Sequence, residues 1–278
     1  MTQENPILAG VIGWPIGHTK SPRIHGYWLK QHKINGYYTP LAIRPENFES
    51  AVRSLRKLGF RGANVTIPYK ETIFNMASSI SDRAALIGAA NTLVFGDDGS
   101  IRADNTDGIG FRENIRQYAP DWRGSNGPAL VLGAGGASRA VISALLDDGA
   151  PEVRVSNRTR HKAEILKDQF GAKVVVVDWV KASEACDGAA TIVNTTSLGM
   201  TGQPPLKIKL NAAPRTALVN DIVYAPVRTD LLVQAEEQNL RTVDGVGMLL
   251  HQAVPGFHAW FDIRPEVDST LRDIVLQP

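Results

Sequence analysis

Ala129-Leu130-Val131-Leu132-Gly133-Ala134-Gly135-Gly136-Ala137-Ser138 passes from four apolar residues through a glycine turn into a segment of helical period, residues 138–149. Strand, glycine turn and helix in that order form the first unit of a dinucleotide-binding fold. Glycines let the backbone turn sharply and approach a pyrophosphate, which then meets unpaired amides and the positive end of a helix beginning near Ser138. The pattern departs from G-x-G-x-x-G at Ser138, which takes the third glycine position. On the glycines alone, a turn that binds nothing is the alternative.

Working outward, residues 152–157, 172–177, 190–196, 216–223 and 241–245 read as further short strands. Segments 159–170 and 228–239 have helical period. These repeat the βα unit and predict a Rossmann-type parallel sheet. Upstream of the polar, glycine-rich stretch 123–128, a separate alternation of strands 8–14, 36–43 and 62–67 with helical segments 21–32 and 45–59 reads as βαβαβ. Ser21 before Pro22 predicts a hydroxyl-capped helix start, and Pro45 predicts the start of the second helix. A final helical stretch runs from about Val246 to Trp260. The fold class is therefore α/β with two domains: a substrate domain over 1–108 with a mostly parallel sheet, completed by helices in 246–278, and a dinucleotide domain over 109–245.

Composition agrees with an ordinary globular chain: 278 residues, 43% hydrophobic and 21% charged. Thirty basic against 28 acidic residues leave a net charge of +2, which predicts neither a nucleic-acid nor a membrane partner. Cys186 is the one cysteine, so no intrachain disulfide forms. The first residues carry an acid and no basic cluster, which does not read as a secretion signal, and the expected location is cytoplasmic. The six histidines show no ligand spacing, so no metal is expected. Trp14 and Tyr27 are expected to pack the first strand and helix rather than contact a ligand.

The second strand of the dinucleotide series ends in Ser156-Asn157-Arg158-Thr159-Arg160. An NAD enzyme usually carries an acid there to hold the ribose 2′-hydroxyl, and here there is none. A carboxylate would repel a 2′-phosphate, whereas Arg158 can fork onto it, with Asn157 and Thr159 as further donors. NADP is the expected cofactor. The plain alternative makes Arg158 and Arg160 solvated charges at a helix start, although positive charge opposes the helix dipole there.

Reduction of a carbonyl by such a cofactor needs a proton donor at the developing alkoxide. Lys70, beyond the strand that Pro68 ends, sits where open α/β sheets place ligands. Asp107, in the turn Ala103-Asp104-Asn105-Thr106-Asp107-Gly108, can accept hydrogen bonds from Lys70 and from a substrate hydroxyl. Alone, Lys70 also reads as a surface lysine and Asp107 as a helix cap.

The chain resembles the shikimate dehydrogenase family along essentially its full length. The resemblance runs through His18-Thr19-Lys20-Ser21-Pro22, Asn64-Val65-Thr66-Ile67-Pro68-Tyr69-Lys70, Gly88-Ala89-Ala90-Asn91-Thr92 and Asn105-Thr106-Asp107-Gly108, then Gly133 to Ala137 and Asn157-Arg158-Thr159. It continues through Asn194-Thr195-Thr196-Ser197-Leu198-Gly199-Met200 and 245–253. It implies that Lys70 and Asp107 form a catalytic pair and that Thr19, Ser21, Thr66, Asn91, Tyr224 and Gln252 join them in binding shikimate. It assigns Gly133, Ala134, Gly135, Gly136, Ala137, Asn157, Arg158, Thr159, Thr195, Ile222, Gly245 and Met248 to the NADP surface. It further implies an active-site cleft between the domains, return of the C-terminal helices to the first domain, and interconversion of 3-dehydroshikimate and shikimate. One departure is Thr19, where the family usually has serine. A quinate-accepting dehydrogenase using NAD or NADP and a non-catalytic shikimate sensor are the rival readings, and a homodimer is left open.

Overall fold

A computed structural model describes residues 5–277. The chain divides into two compact units, one formed by the chain through Thr106 together with the segment from Gln252 onward, the other by Asp107–His251.

In the first unit, β1 (Ile7–Gly13), α1 (Ser21–Gln31), β2 (Gly36–Ala42), α2 (Phe48–Lys57) and β3 (Phe60–Val65) alternate as expected. They are followed by α3 (Lys70–Met76), β4 (Ser79–Ile80), α4 (Asp82–Ile87), β5 (Thr92–Phe95) and β6 (Ile101–Asp104). The sheet order is β2-β1-β3-β5-β6-β4, with β5 antiparallel to both neighbours and the other pairings parallel. Pro40 falls in the edge strand β2, where a missing N–H breaks no ladder bond. Helix α2 buries Phe48, Val52 and Leu55, one helical face, against Ala63, Val65 and Leu93 of the sheet.

Three local expectations change. Ser21 does not cap α1: Lys20 occupies the cap position without a side-chain bond, and Ser21 is already helical. The hydroxyl that takes its amide belongs to Thr19, at 3.3 Å, because a side chain two residues upstream can reach back where Ser21, inside the first turn, cannot. Pro45 opens a short 3-10 turn, Pro45–Asn47, that runs into α2. Trp14 is 38% exposed, with the Arg44 guanidinium 5.3 Å above its ring, whereas Tyr27 donates to Asp268 at 2.7 Å.

The second unit opens with α5 (Asp107–Tyr118) and continues through β7 (Ala129–Leu132), α6 (Gly136–Asp147), β8 (Val153–Asn157), α7 (Arg160–Phe170) and β9 (Val174–Asp178). It closes with β10 (Thr191–Asn194), β11 (Leu218–Asp221), α8 (Asp230–Glu237), β12 (Arg241–Val243) and α9 (Val246–His251). The sheet is parallel throughout in the order β12-β11-β10-β7-β8-β9. That is the doubly wound Rossmann order, reversing between β7 and β10. All residues of β7, β10 and β11 are buried, as a parallel sheet covered on both faces requires.

The helical stretch from Val246 breaks at Gln252, and α10 (Ala253–Phe261) and α11 (Ser269–Leu276) belong to the first unit. Pro255 has no N–H to continue the ladder across that point. Helix α9 stays with the second unit because Gly247 lies flat against Asn114 of α5, whose amide donates to the Asp244 carbonyl at 2.7 Å. The unit limits thus fall at Thr106/Asp107 and His251/Gln252 rather than after 108 and before 246. Trp260 of α10 donates to the Leu93 carbonyl at 2.8 Å. A Cβ at Gly62 would overlap both that carbonyl and the Trp260 indole, so α10 covers the face opposite α2. Gly62→Ala is therefore expected to destabilise the protein by about 1–3 kcal/mol, through overpacking that neither backbone nor indole can relieve. Urea unfolding measures this, and an unchanged midpoint would show that α10 does not press on β3 as described.

Candidate functional site

Within the second unit, a groove of about 300 Å3 opens over the C-terminal ends of β7, β8 and β10. Gly133, Ala134, Gly135, Asn157, Arg158, Thr159 and Thr195 of the expected cofactor set line it. Gly133 has φ +112°, and a Cβ there would stand 2.7 Å from Thr195 Oγ1, so only glycine lets the turn cross the end of β10. Ser138 explains the missing third glycine. Its Oγ accepts from Gly135 N at 3.0 Å and lies 2.6 Å from Thr195 Oγ1, which itself donates to the Leu132 carbonyl at 2.7 Å. With the Thr195 hydrogen committed to Leu132, Ser138 donates to Thr195. One buried hydroxyl thus ties the glycine turn to the strand across the switch point. The amides of Gly136 and Ala137, in the first turn of α6, have no acceptor within the helix.

At the end of β8, Asn157 Nδ2 donates to the Thr159 carbonyl at 2.8 Å. Arg160 is held in ion pairs, with Glu164 at 2.9 Å and with Asp178. Arg158 is exposed on the groove and has no ion-pair partner among the described residues. Lys162, Trp179, Thr196, Ser197 and Leu198 also line the groove and were not anticipated. A signal for Lys162 was its place in the first turn of the helix after Arg158. For Trp179 it was its position one residue past β9, whose Asp178 pairs with Asn157. The remaining members of the expected set lie apart from this groove's lining. Gly245 packs so closely on the Ile222 carbonyl that a Cβ would overlap it, and Met248 is buried in the core cluster against which Ile222 also packs. Gly136 and Ala137 begin α6.

Asp221, fully buried at the end of β11, joins two loops of this unit. It accepts from Asn194 Nδ2 at 2.9 Å, Val223 N at 3.0 Å and Thr229 Oγ1 at 2.7 Å. Asn194 Oδ1 in turn accepts from Thr196 N and Oγ1 at 3.0 and 2.7 Å. The loop carrying the half-exposed Tyr224 and the groove-lining loop after β10 therefore share one carboxylate.

In the first unit, backbone hydrogen bonds fix Thr66, Lys70 and Asn91 of the expected set at neighbouring strand ends. Val65 N donates to the Asn91 carbonyl at 2.8 Å, and Ala90 N to the Lys70 carbonyl at 2.9 Å, which sets the start of α3 beside Asn91. Thr66 N donates to the Ile12 carbonyl at 2.9 Å, at the end of β1. Asn91 Oδ1 accepts from Thr106 N at 3.0 Å and Thr106 Oγ1 at 3.1 Å, and Asp107 follows directly as the first residue of α5. Lys70, Asp107, Thr66, Thr19 and Gln252 are half-buried, and Ser21 and Asn91 are buried. Among the described residues no group of three or more His, Cys, Asp and Glu is arranged to hold a metal, and no helix is long and apolar enough to cross a membrane.

Two family models match: the shikimate dehydrogenase substrate binding domain over residues 11–93, and shikimate / quinate 5-dehydrogenase over residues 117–200. A curated shikimate dehydrogenase (NADP+) of Paracoccus denitrificans is 54% identical over 99% of this chain and 98% of its own length. The chain belongs to the shikimate dehydrogenase family. A second such relative, of Cereibacter sphaeroides, is 55% identical over 97% of this chain and 96% of its own. Among solved structures, shikimate 5-dehydrogenase of Thermus thermophilus in complex with NADP(H) and shikimate has a TM-score of 0.85 at 33% identity, covering 97% of this chain and 98% of that one. Quinate dehydrogenase of Corynebacterium glutamicum in complex with NAD has a TM-score of 0.89 at 28% identity, covering 98% and 99%. The fold is thus shared with a solved shikimate 5-dehydrogenase in complex with NADP(H) and shikimate and with a solved quinate dehydrogenase in complex with NAD.

Burial pushes the Asp221 carboxyl up to about 6, against the pull of its three donors. Below about pH 4 the group is protonated folded and unfolded alike. Between about 4 and 6 the folded protein keeps a proton that the unfolded chain has released, so stability falls as pH rises, by up to about 3 kcal/mol. Urea unfolding across this range should show that decline in the wild type, with the Asp221 contribution to the slope missing from Asp221→Asn. Parallel curves would mean that Asp221 titrates at an ordinary value.

Proposed function

We propose that this chain is a shikimate dehydrogenase that reduces 3-dehydroshikimate to shikimate with NADPH, and runs the reverse reaction with NADP. The observation that carries the reading is the end of β8. It presents Arg158 instead of an acid, beside Lys162 in a groove at the switch point of a chain 54% identical over its length to an NADP+-dependent relative. Those cations and the Thr159 hydroxyl suit a 2′-phosphate, and the amides of the α6 first turn suit the pyrophosphate. Thr195, Ile222, Gly245 and Met248 complete the cofactor surface in this proposal.

When bound, the reduced nicotinamide supplies hydride to the carbonyl carbon of the substrate. Lys70 supplies the proton to the carbonyl oxygen, and Asp107 orients its ammonium and accepts from a substrate hydroxyl. Ser21, Thr19, Thr66, Asn91, Tyr224 and Gln252 donate to the carboxylate and ring hydroxyls, which fixes the face presented to hydride. The unit formed through Thr106 and from Gln252 onward acts as the substrate domain, and Asp107–His251 as the NADP domain. A cytoplasmic location belongs to the same proposal. The quinate branch remains the second reading because Thr19 adds a methyl where the family usually has serine.

Purified protein with shikimate and NADP should produce reduced nicotinamide absorbance, with far less signal from quinate or NAD. Preference for quinate with NAD would move the chain to the other branch, and silence throughout would favour a sensor. Lys70→Ala is expected to lower kcat by about 10²–10⁴-fold with a smaller change in shikimate affinity. Near-normal turnover would remove Lys70 from the chemistry.

A further inference from the structure

Trp179 stands level with Arg158, one strand over. Asn157 and Asp178 are register partners of the parallel strands β8 and β9, which lie about 4.8 Å apart, and Arg158 and Trp179 are the residues that follow them. Trp179 opens a 3-10 turn, Trp179–Lys181, closed by Ala182 N donating to its carbonyl at 3.2 Å. Just before that turn the Asp178 carboxylate pairs with Arg160, which ties the end of β9 to the helix that follows β8.

The indole is half-buried. It packs against the apolar cluster that holds Leu130, Leu132 and Leu198, and it also lines the groove beside Arg158 and Lys162. The chain has five tryptophans, and the other four use their rings internally. Trp28 meets His25 and Phe257, Trp260 meets His25 and Tyr38, Trp122 meets Phe111, and Trp14 carries the Arg44 guanidinium. Among the described residues Trp179 has no such ring or cation contact, and its indole N–H has no acceptor. Filling the edge of the cluster needs only an apolar side chain such as leucine, so packing does not account for an aromatic ring here.

The covalent structure of a nucleotide fixes where its base must lie. Base and 2′-phosphate are carried on adjacent ribose carbons, C1′ and C2′. A nucleotide whose 2′-phosphate is held by Arg158 and Lys162 therefore brings its base within one ribose of those cations, where the groove offers the Trp179 indole. Bases stack well on such a ring, because every base has a π face and desolvates little when it is covered.

We propose that Trp179 is the base-binding residue of this groove, its indole stacking on the purine of the bound nucleotide. This rests on the nucleotide reading of the groove given above.

Calorimetric titration with adenosine 2′,5′-bisphosphate, which carries the base and the 2′-phosphate without the nicotinamide half, tests the contact on the full chain. Trp179→Leu keeps the apolar packing and removes the ring, and should weaken binding about 10–100-fold, whereas Trp179→Phe should stay within about threefold of wild type. Because NADP and NAD share the adenine, Trp179→Leu should weaken both by the same factor and leave the preference between them intact; a groove merely deformed by the substitution would displace Arg158 and change that preference. Adenosine 2′,5′-bisphosphate should also quench the tryptophan emission of the wild type and leave that of Trp179→Phe unchanged. Wild-type affinity in Trp179→Leu, a lost preference for one dinucleotide, or a quench that persists in Trp179→Phe would overturn the stack while the nucleotide reading stands. Failure of the wild type to bind either adenosine 2′,5′-bisphosphate or NADP would overturn both. If Trp179→Leu does not fold, the emission of Trp179→Phe decides alone.

Discussion

The close approach of β7 and β10 at their C-terminal ends constrains everything built on the second unit. Gly133 must turn within van der Waals reach of Thr195, and the Ser138 hydroxyl binds the two sides together from below. That contact determines where α6 begins, and therefore where its unpaired amides point. The end of β8 stands one strand away, carrying Arg158 to the edge of the same groove. In the proposed mode of binding, a nucleotide laid over this switch point meets helix amides at its phosphates and cations at its ribose.

The first unit applies a different device to the same requirement for rigidity. Its antiparallel β5 returns the chain so that Asn91 lies against the end of β3, and the start of α3 hangs from Ala90 by a backbone bond. Beneath Asn91, buried hydrogen bonds from Tyr38 to Asn64, and from Asn64 to Thr92 and the Asn91 carbonyl, brace this corner. In the second unit, Asp221 gives up an ordinary carboxylate pKa to tie two loops to one point. Both devices use buried polar groups to orient side chains that packing alone would leave free to turn.

Periodicity and turn chemistry made much of this legible in the sequence. The alternation of short apolar strands with helical segments predicted both sheets, and the glycine turn with Asn157-Arg158-Thr159 predicted the groove. What stayed hidden depends on tertiary geometry. Thr19 rather than Ser21 takes the first amide of α1 because the helix starts at Ser21 itself. Lys162 and Trp179 had local cues, but that both line the groove depends on β9 pairing with β8 so that Asp178 lies beside Asn157. Tyr38, Asn64 and Thr92 meet only when β2, β3 and β5 stand within one sheet. The break at Gln252 had a visible cause in Pro255, yet its place as a unit limit depends on Gly247 packing against Asn114.

The central claim is that the groove beside Gly133 is built for a nucleotide carrying a 2′-phosphate. Calorimetric titration of the wild type and of Arg158→Gln with NADP and with NAD tests it most directly. The account predicts that the wild type binds NADP at least about tenfold more tightly than NAD, and that Arg158→Gln loses most of that difference while keeping its affinity for NAD. Equal affinities in the wild type, or a preference that survives the substitution, would contradict it.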